Sequence, residues 1–175
     1  EMLVGKQYIV DRKDYATAIH RFMDDLLEAM PGIRGPFNSQ ITMACGKTFG
    51  RQIYTLGIDG TNFQQITNIK SNSISPSWSP DGSTIAFTSF KSRYPEIYRI
   101  SSSGGALTQL TANNATNITP AFSPNGNSIA YASSVTGDTE LYLMSTTGKL
   151  LQRLTKVPNI DLAPAWSPDG SRIAF

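Results

Sequence analysis

The chain has 175 residues, enough to bury a core, and a low charged fraction of 16% that favours β-rich, hydroxyl-rich surfaces. Its formal net charge is +2 with no block of Lys or Arg, which argues against nucleic acid or an anionic membrane as the main partner. With one cysteine, Cys45, and one histidine, His20, an intrachain disulfide, a multi-cysteine zinc site and a His-pair metal site are excluded, and no apolar run is long enough for membrane insertion.

The first element expected is a short strand over residues 5–10, GKQYIV. A helix follows, because Tyr15, Ile19, Phe22, Met23, Leu26, Leu27 and Met30 recur at helical spacing as one apolar stripe. Asp11 or Asp14 can cap its start, and Pro31-Gly32 ends it. His20 falls at the border of the stripe and reads as a partly buried helix residue. Asp24, Asp25 and Glu28 read as a solvated face, since adjacent helix residues do not converge on a metal.

From Ile41 onward the chain is periodic. Pro76, Pro120 and Pro164 lie 44 residues apart, and Ile41, Ile85, Ile129 and Ile173 keep the same step. The pairs Ile53-Tyr54, Ile97-Tyr98 and Leu141-Tyr142 do so too, as do Ile66-Thr67, Leu110-Thr111 and Leu154-Thr155. Within a unit the apolar pattern alternates as in strands, and turn signals divide it into four short runs. Four strands in a unit of this length predict a propeller blade, whereas helical solenoids would need a 3.6-residue period.

The shared residues have packing reasons. Trp78, Phe122 and Trp166 fall at one position of each innermost strand, where a large ring fills the gap between neighbouring blades. The prolines two residues earlier suit a place where ladder bonding is incomplete. In IAF and IAY the isoleucine and the aromatic share one face, with alanine on the other.

Serine, aspartate and glycine in the repeated SPDG suggest a reactive loop, but a turn accounts for them. Pro80 presets φ, Asp81 tolerates the second turn position, Gly82 supplies a positive φ, and Ser79 can bond a turn N–H. The middle copy carries Asn125, so a mechanism that needs a carboxylate in every copy does not fit. There is no G-x-S-x-G elbow and no calcium-loop pattern, so neither catalytic nor metal nor cofactor residues are assigned. Cys45 is expected as a small buried residue on a strand.

The segment PSWSPDGSTIAF…EIYRI…LTQLT resembles the WD40-like propeller repeat of the TolB family, over residues 41–175. Upstream, Ile19-His20, Asp24, Gly32, Gly35 and Phe37 occupy places similar to those at the end of that family's N-terminal α/β domain. Ile19 replaces the usual alanine, Met30-Pro31 replaces Leu-Thr, and Tyr94-Pro95 replaces the usual Gly-containing hairpin loop. The resemblance implies a mainly β fold: a strand and amphipathic helix closing an α/β domain in residues 1–34, then a partial propeller over residues 35–175. That propeller would hold about three to three and a half blades of an expected six. The first repeat lacks its inner strand and the fourth has only its opening two. The chain thus reads as a segment of a longer protein, with no leader-like opening within it.

The resemblance further implies a non-enzymatic periplasmic scaffold of the Tol–Pal system, active in outer-membrane integrity and cell division. Its propeller would dock the lipoprotein Pal, and a segment ahead of this sequence would engage TolA. The expected docking loops join outer to next inner strands (residues 68–73, 112–117 and 156–161) and second to third strands (residues 91–95 and 135–138). Loops on a rigid scaffold often carry function, and Lys91, Arg93, Tyr94, Asn113, Asn114, Thr116 and Asn117 form a polar set with one aromatic anchor. The alternative is the propeller of a prolyl oligopeptidase-like or tricorn-like peptidase, with catalysis in a separate domain.

Overall fold

The computed structural model describes residues 9–11, 14–29, 35–156 and 159–175. They fall into two compact units: Glu1–Ile41 with Thr55–Gln64, and Thr42–Tyr54 with Gln65–Phe175.

In the first unit, α1 spans Tyr15–Ala29, where the apolar stripe predicts it, and the Asp14 N–H donates to the Asp11 carbonyl at its entry (2.9 Å). The expected strand over 5–10 lies mostly outside the described residues, and Ile9 and Val10 belong to no strand; the Pro31-Gly32 stop also lies outside them. Asp24 departs from the solvated face expected for it. Its two carboxylate oxygens accept the backbone N–H groups of Phe37 and Asn38, each at 2.9 Å. Gly35 is needed beside it, since a Cβ there would lie 2.1 Å from Asp24 Oδ1. His20 is half-buried, its Nε2 3.8 Å from Asp59 Oδ2 and its ring beside Phe37.

The strands form sheets in the order of the repeat, antiparallel throughout residues 73–174. β1 (Gln40–Cys45), β2 (Gln52–Gly57) and β3 (Gln64–Gln65) make a three-stranded sheet. β4 (Ser73–Trp78), β5 (Thr84–Ser89), β6 (Glu96–Ser101) and β7 (Thr108–Gln109) make the first complete blade. β8 (Asn117–Phe122), β9 (Ser128–Thr136), β10 (Asp138–Ser145) and β11 (Leu150–Arg153) make the second, and β12 (Ala165–Trp166) pairs with β13 (Ile173–Ala174). These are the expected blades: one without its inner strand, two complete, and the opening pair of a fourth.

Alternation along β5 and β9 divides the core. Ile85 and Phe87 point to one side, where they cluster with Ile53, Ile66, Tyr98 and Ile100, while Trp78, Ala44 and Leu107 pack around them. Ala86 and Ile97 point to the other side, against Ile129, Tyr131, Tyr142 and Met144, with Phe122 at the edge. Each cluster therefore joins two neighbouring sheets, and the inner-strand aromatics lie in the seams as expected. Trp166 adds a polar tie, its indole N–H donating to the Ala121 carbonyl at 3.1 Å.

Proline leaves its mark on the inner strands. The register slips between Ile74 and Ser77 and again between Ile118 and Ala121, around Pro76 and Pro120. The residue before each proline has a positive φ: Ser75 at 51°, Thr119 at 51° and Ala163 at 54°. A left-handed β-branched residue such as Thr119 is costly, so the surroundings hold it there. Its N–H donates to Thr88 Oγ1 on the preceding sheet (3.1 Å), and its own Oγ1 accepts the Ala163 N–H (3.3 Å).

The SPDG segment is a hairpin turn. The Gly82 N–H donates to the Ser79 carbonyl (2.9 Å) with φ at 70°, and Ser79 Oγ accepts the Thr84 N–H (2.9 Å). Asp81 Oδ1 accepts from the Ser79 hydroxyl (2.5 Å) and the Ser83 N–H (3.1 Å). Asn125 Oδ1 makes the same two bonds to Ser123 Oγ and the Asn127 N–H, so the turn needs an acceptor oxygen and not a charge.

These bonds, the Ser79 hydroxyl first, hold the Asp81 carboxyl below its ordinary 3.8, at about 2. A folded-state pKa lowered this way contributes stability that is complete above the unfolded value and is lost as pH falls from about 4 to about 2. Asp81→Asn is expected to flatten the acid limb of the stability profile across that window. Denaturant melts at pH 2, 3, 4 and 6 check it; an unchanged acid limb would contradict the assignment.

Cys45 corrects an expectation. It closes β1 exposed, not buried, because β1 is an edge strand of the three-stranded sheet and no described strand pairs with it on its outer side.

Candidate partner-binding face

Antiparallel strands place turns 79–83 and 102–105 at one end of a blade, and loops 90–95 and 110–116 at the other. Backbone bonds gather the second group. The Asn117 N–H donates to the Pro95 carbonyl (2.9 Å), and the Ser134 N–H to the Thr116 carbonyl (3.0 Å). The outer-to-inner loop thus lies between the second-to-third loops of its own blade and of the preceding one, as the propeller reading expects.

Beneath these loops a polar network recurs with the repeat. In the first complete blade the Ile97 N–H donates to Thr111 Oγ1 (2.9 Å), and the Thr111 hydroxyl donates to Glu96 Oε2 (2.5 Å). Glu96 is 3% exposed. Asn117 joins it, its Nδ2 donating to Glu96 Oε2 (2.9 Å), Asn113 Oδ1 (2.7 Å) and the Ala115 carbonyl (3.1 Å). The preceding sheet repeats the pattern with Gln52 and Thr67, where the Ile53 N–H donates to Thr67 Oγ1 (2.8 Å) and that hydroxyl to Gln52 Oε1 (2.9 Å). The following blade uses Thr155 for the Leu141 N–H (2.9 Å), and Arg153 binds both carboxylate oxygens of Glu140. That bond, ahead of the charge attraction, holds the Glu140 carboxyl below the usual range.

The seven residues singled out from the sequence therefore divide. Lys91, Arg93, Asn113 and Asn114 are exposed, while Tyr94 and Thr116 are half-buried. Arg93 stacks over the Tyr94 ring at 5.6 Å, a cation–π contact that fixes both side chains. The Tyr98 hydroxyl lies 2.9 Å from Ser92 Oγ and anchors the same loop from the core. Asn114 takes a left-handed φ of 57°, which turns its side chain outward at the loop tip. Thr116 is tied through its N–H to Ser134 Oγ (3.1 Å). Asn117 is fully buried and holds the loop from below, so its role is support.

Sequence reasoning passed over Glu96 and Thr111, which carry the platform. The signal was available: a polar residue precedes each Ile-Tyr or Leu-Tyr pair, at Gln52, Glu96 and Glu140, in register with the threonines.

A family model of the TolB beta propeller domain matches residues 27–175. The chain belongs to this family. A TolB homolog of Chlorobium chlorochromatii is 36% identical over 95 residues, 54% of this chain and 22% of its own length. The Tol-Pal system protein TolB of Albidiferax ferrireducens is 37% identical over 93 residues, 53% of this chain and 22% of its own. These alignments span about a fifth of the curated relatives. A solved structure described as TolB of Agrobacterium tumefaciens superposes with a TM-score of 0.70 at 28% identity, covering 77% of this chain and 48% of that one. The crystal structure of TolB from Acinetobacter baumannii, at 19% identity and a TM-score of 0.55, covers 98% of this chain and 55% of its own and supports the fold alone. The TolB-type repeat thus explains the 44-residue step, and the blades here are a part of such a propeller. Among the described residues no helix is long and apolar enough to cross a membrane.

Proposed function

We propose that this chain is part of a non-enzymatic periplasmic scaffold of the Tol–Pal envelope system that binds the lipoprotein Pal through loops 91–95 and 112–117. Relatives named as Tol-Pal system proteins support the system. The observation that carries the surface is the buried Glu96–Thr111–Asn117 platform, which fixes these loops while Lys91, Arg93, Asn113 and Asn114 stay exposed. A rigid base under polar, aromatic-anchored loops lowers the ordering cost of binding.

In this reading residues 1–34 close an N-terminal α/β domain and residues 35–175 open the propeller. TolA is engaged by a segment that precedes this sequence, and the assembly serves outer-membrane integrity and cell division. The full-length protein is expected to capture Pal. Lys91→Ala with Arg93→Ala, and separately Asn114→Gly, which keeps the left-handed backbone, are each expected to weaken capture by about 1 kcal/mol or more, measured by calorimetry. Unchanged affinity in both variants would overturn the loop assignment.

A further inference from the structure

The repeat is a reference against which single departures stand out. Position 99 carries Arg99, where the neighbouring repeats have Thr55 and Leu143. In the hairpin turns Asn125 stands between Asp81 and Asp169 of the flanking copies. One departure adds a positive charge and the other removes a negative one.

Both fall in the same place. A cleft of about 320 Å³ opens between the two complete blades at the SPDG end, lined by Ser83, Thr84, Arg99, Phe122, Asn125 and Thr146 among others. Arg99 faces the following blade because it pairs with Ala86 across β5 and β6. Arg99 is half-buried, and its guanidinium has neither hydrogen bond nor ion pair with any described residue. The Asn125 Oδ1 is taken by Ser123 Oγ and the Asn127 N–H, which leaves its amide NH₂ as a donor. Asp81 is the acid on the wall, and its oxygens are engaged by Ser79 and Ser83 of its own turn.

A guanidinium with free donors on a cleft wall favours a planar anion that it can grip with two parallel bonds. Phe122 offers an apolar wall for a methylene stem, and the hydroxyls of Thr84 and Thr146 offer further donors. The volume is at the lower limit of small-ligand sites, which run from roughly 300 to 1,000 Å³, and suits a side chain better than a cofactor. We propose that this cleft binds a carboxylate side chain of an extended acidic peptide segment, held by Arg99 and Asn125. It lies at the opposite end of the strands from loops 91–95 and 112–117, so it stands apart from the proposed Pal face.

The repeat supplies its own test variants. Arg99→Leu and Asn125→Asp install residues that the other copies carry at those positions, so the fold accommodates them. The full-length protein is titrated by NMR with acetyl-glycyl-glutamyl-glycine amide, with its glutamine counterpart, and with glutarate. The glutamate peptide is expected to bind at least tenfold tighter than the glutamine one and to shift resonances of residues 79–84, 99 and 122–126. Arg99→Leu and Asn125→Asp are each expected to weaken it at least tenfold, and Lys149→Gln, on the same face outside the cleft lining, less than twofold. Equal binding of the glutamine peptide, indifference to Arg99→Leu, or an equal loss in Lys149→Gln would overturn the proposal. Glutarate binding as tightly as the peptide would replace the peptide with a free dicarboxylate and overturn it too.

Discussion

Phe87→Ala is expected to destabilise the chain by about 3–5 kcal/mol, the usual cost of emptying a fully buried aromatic site. Phe87 has no exposed surface, and its ring lies 6.3 Å from that of Tyr98 at the centre of the cluster joining the three-stranded sheet to the first complete blade. The loss has two parts: apolar area returned to water, and a cavity that two rigid sheets cannot collapse into. Phe49, 89% exposed in a loop, gives the comparison, and Phe49→Ala is expected to stay within about 0.5 kcal/mol. Urea unfolding of both variants checks the pair. A cost below about 1 kcal/mol for Phe87→Ala would mean that the seam does not hold the blades together.

Thr111→Val is expected to cost about 2–4 kcal/mol although it conserves shape. It removes one hydroxyl that serves two buried groups, the Ile97 N–H and the Glu96 carboxylate. An orphaned buried donor costs about 1–3 kcal/mol, and a carboxylate that loses a donor adds to this. Thr111→Ser keeps the hydroxyl and is expected to cost under about 1.5 kcal/mol, mainly through the lost methyl. Equal losses in the two variants would show that the hydroxyl contributes little. Because Asn117 binds the same Glu96 oxygen, Thr111→Val should also speed amide exchange over residues 112–117.

The architecture was legible because blades repeat. Prolines, isoleucines, Ile-Tyr or Leu-Tyr pairs and threonines in one 44-residue register leave little freedom, and alternation in IAF places each side chain on a seam. What stayed hidden depends on contacts between distant segments. Asn117 reads as a surface residue because amides are usually exposed, yet Glu96, 21 residues earlier, compensates its burial. Asp24 reads as solvated on a helical wheel, but residues 37 and 38 return to bind it. Cys45 was misread because β1 is an edge strand, so no described inner strand pairs beside it to help cover its end. Arg99 was visible as a letter, but its meaning needed the cleft.

The central claim is that the loop end of these blades is the face that meets Pal. Hydrogen exchange on the full-length protein, with and without saturating Pal, tests it most directly. The account predicts slowed exchange in residues 91–95 and 112–117, with turns 79–83 and 123–127 unchanged. Slowing confined to those turns, or none in either group, would contradict it.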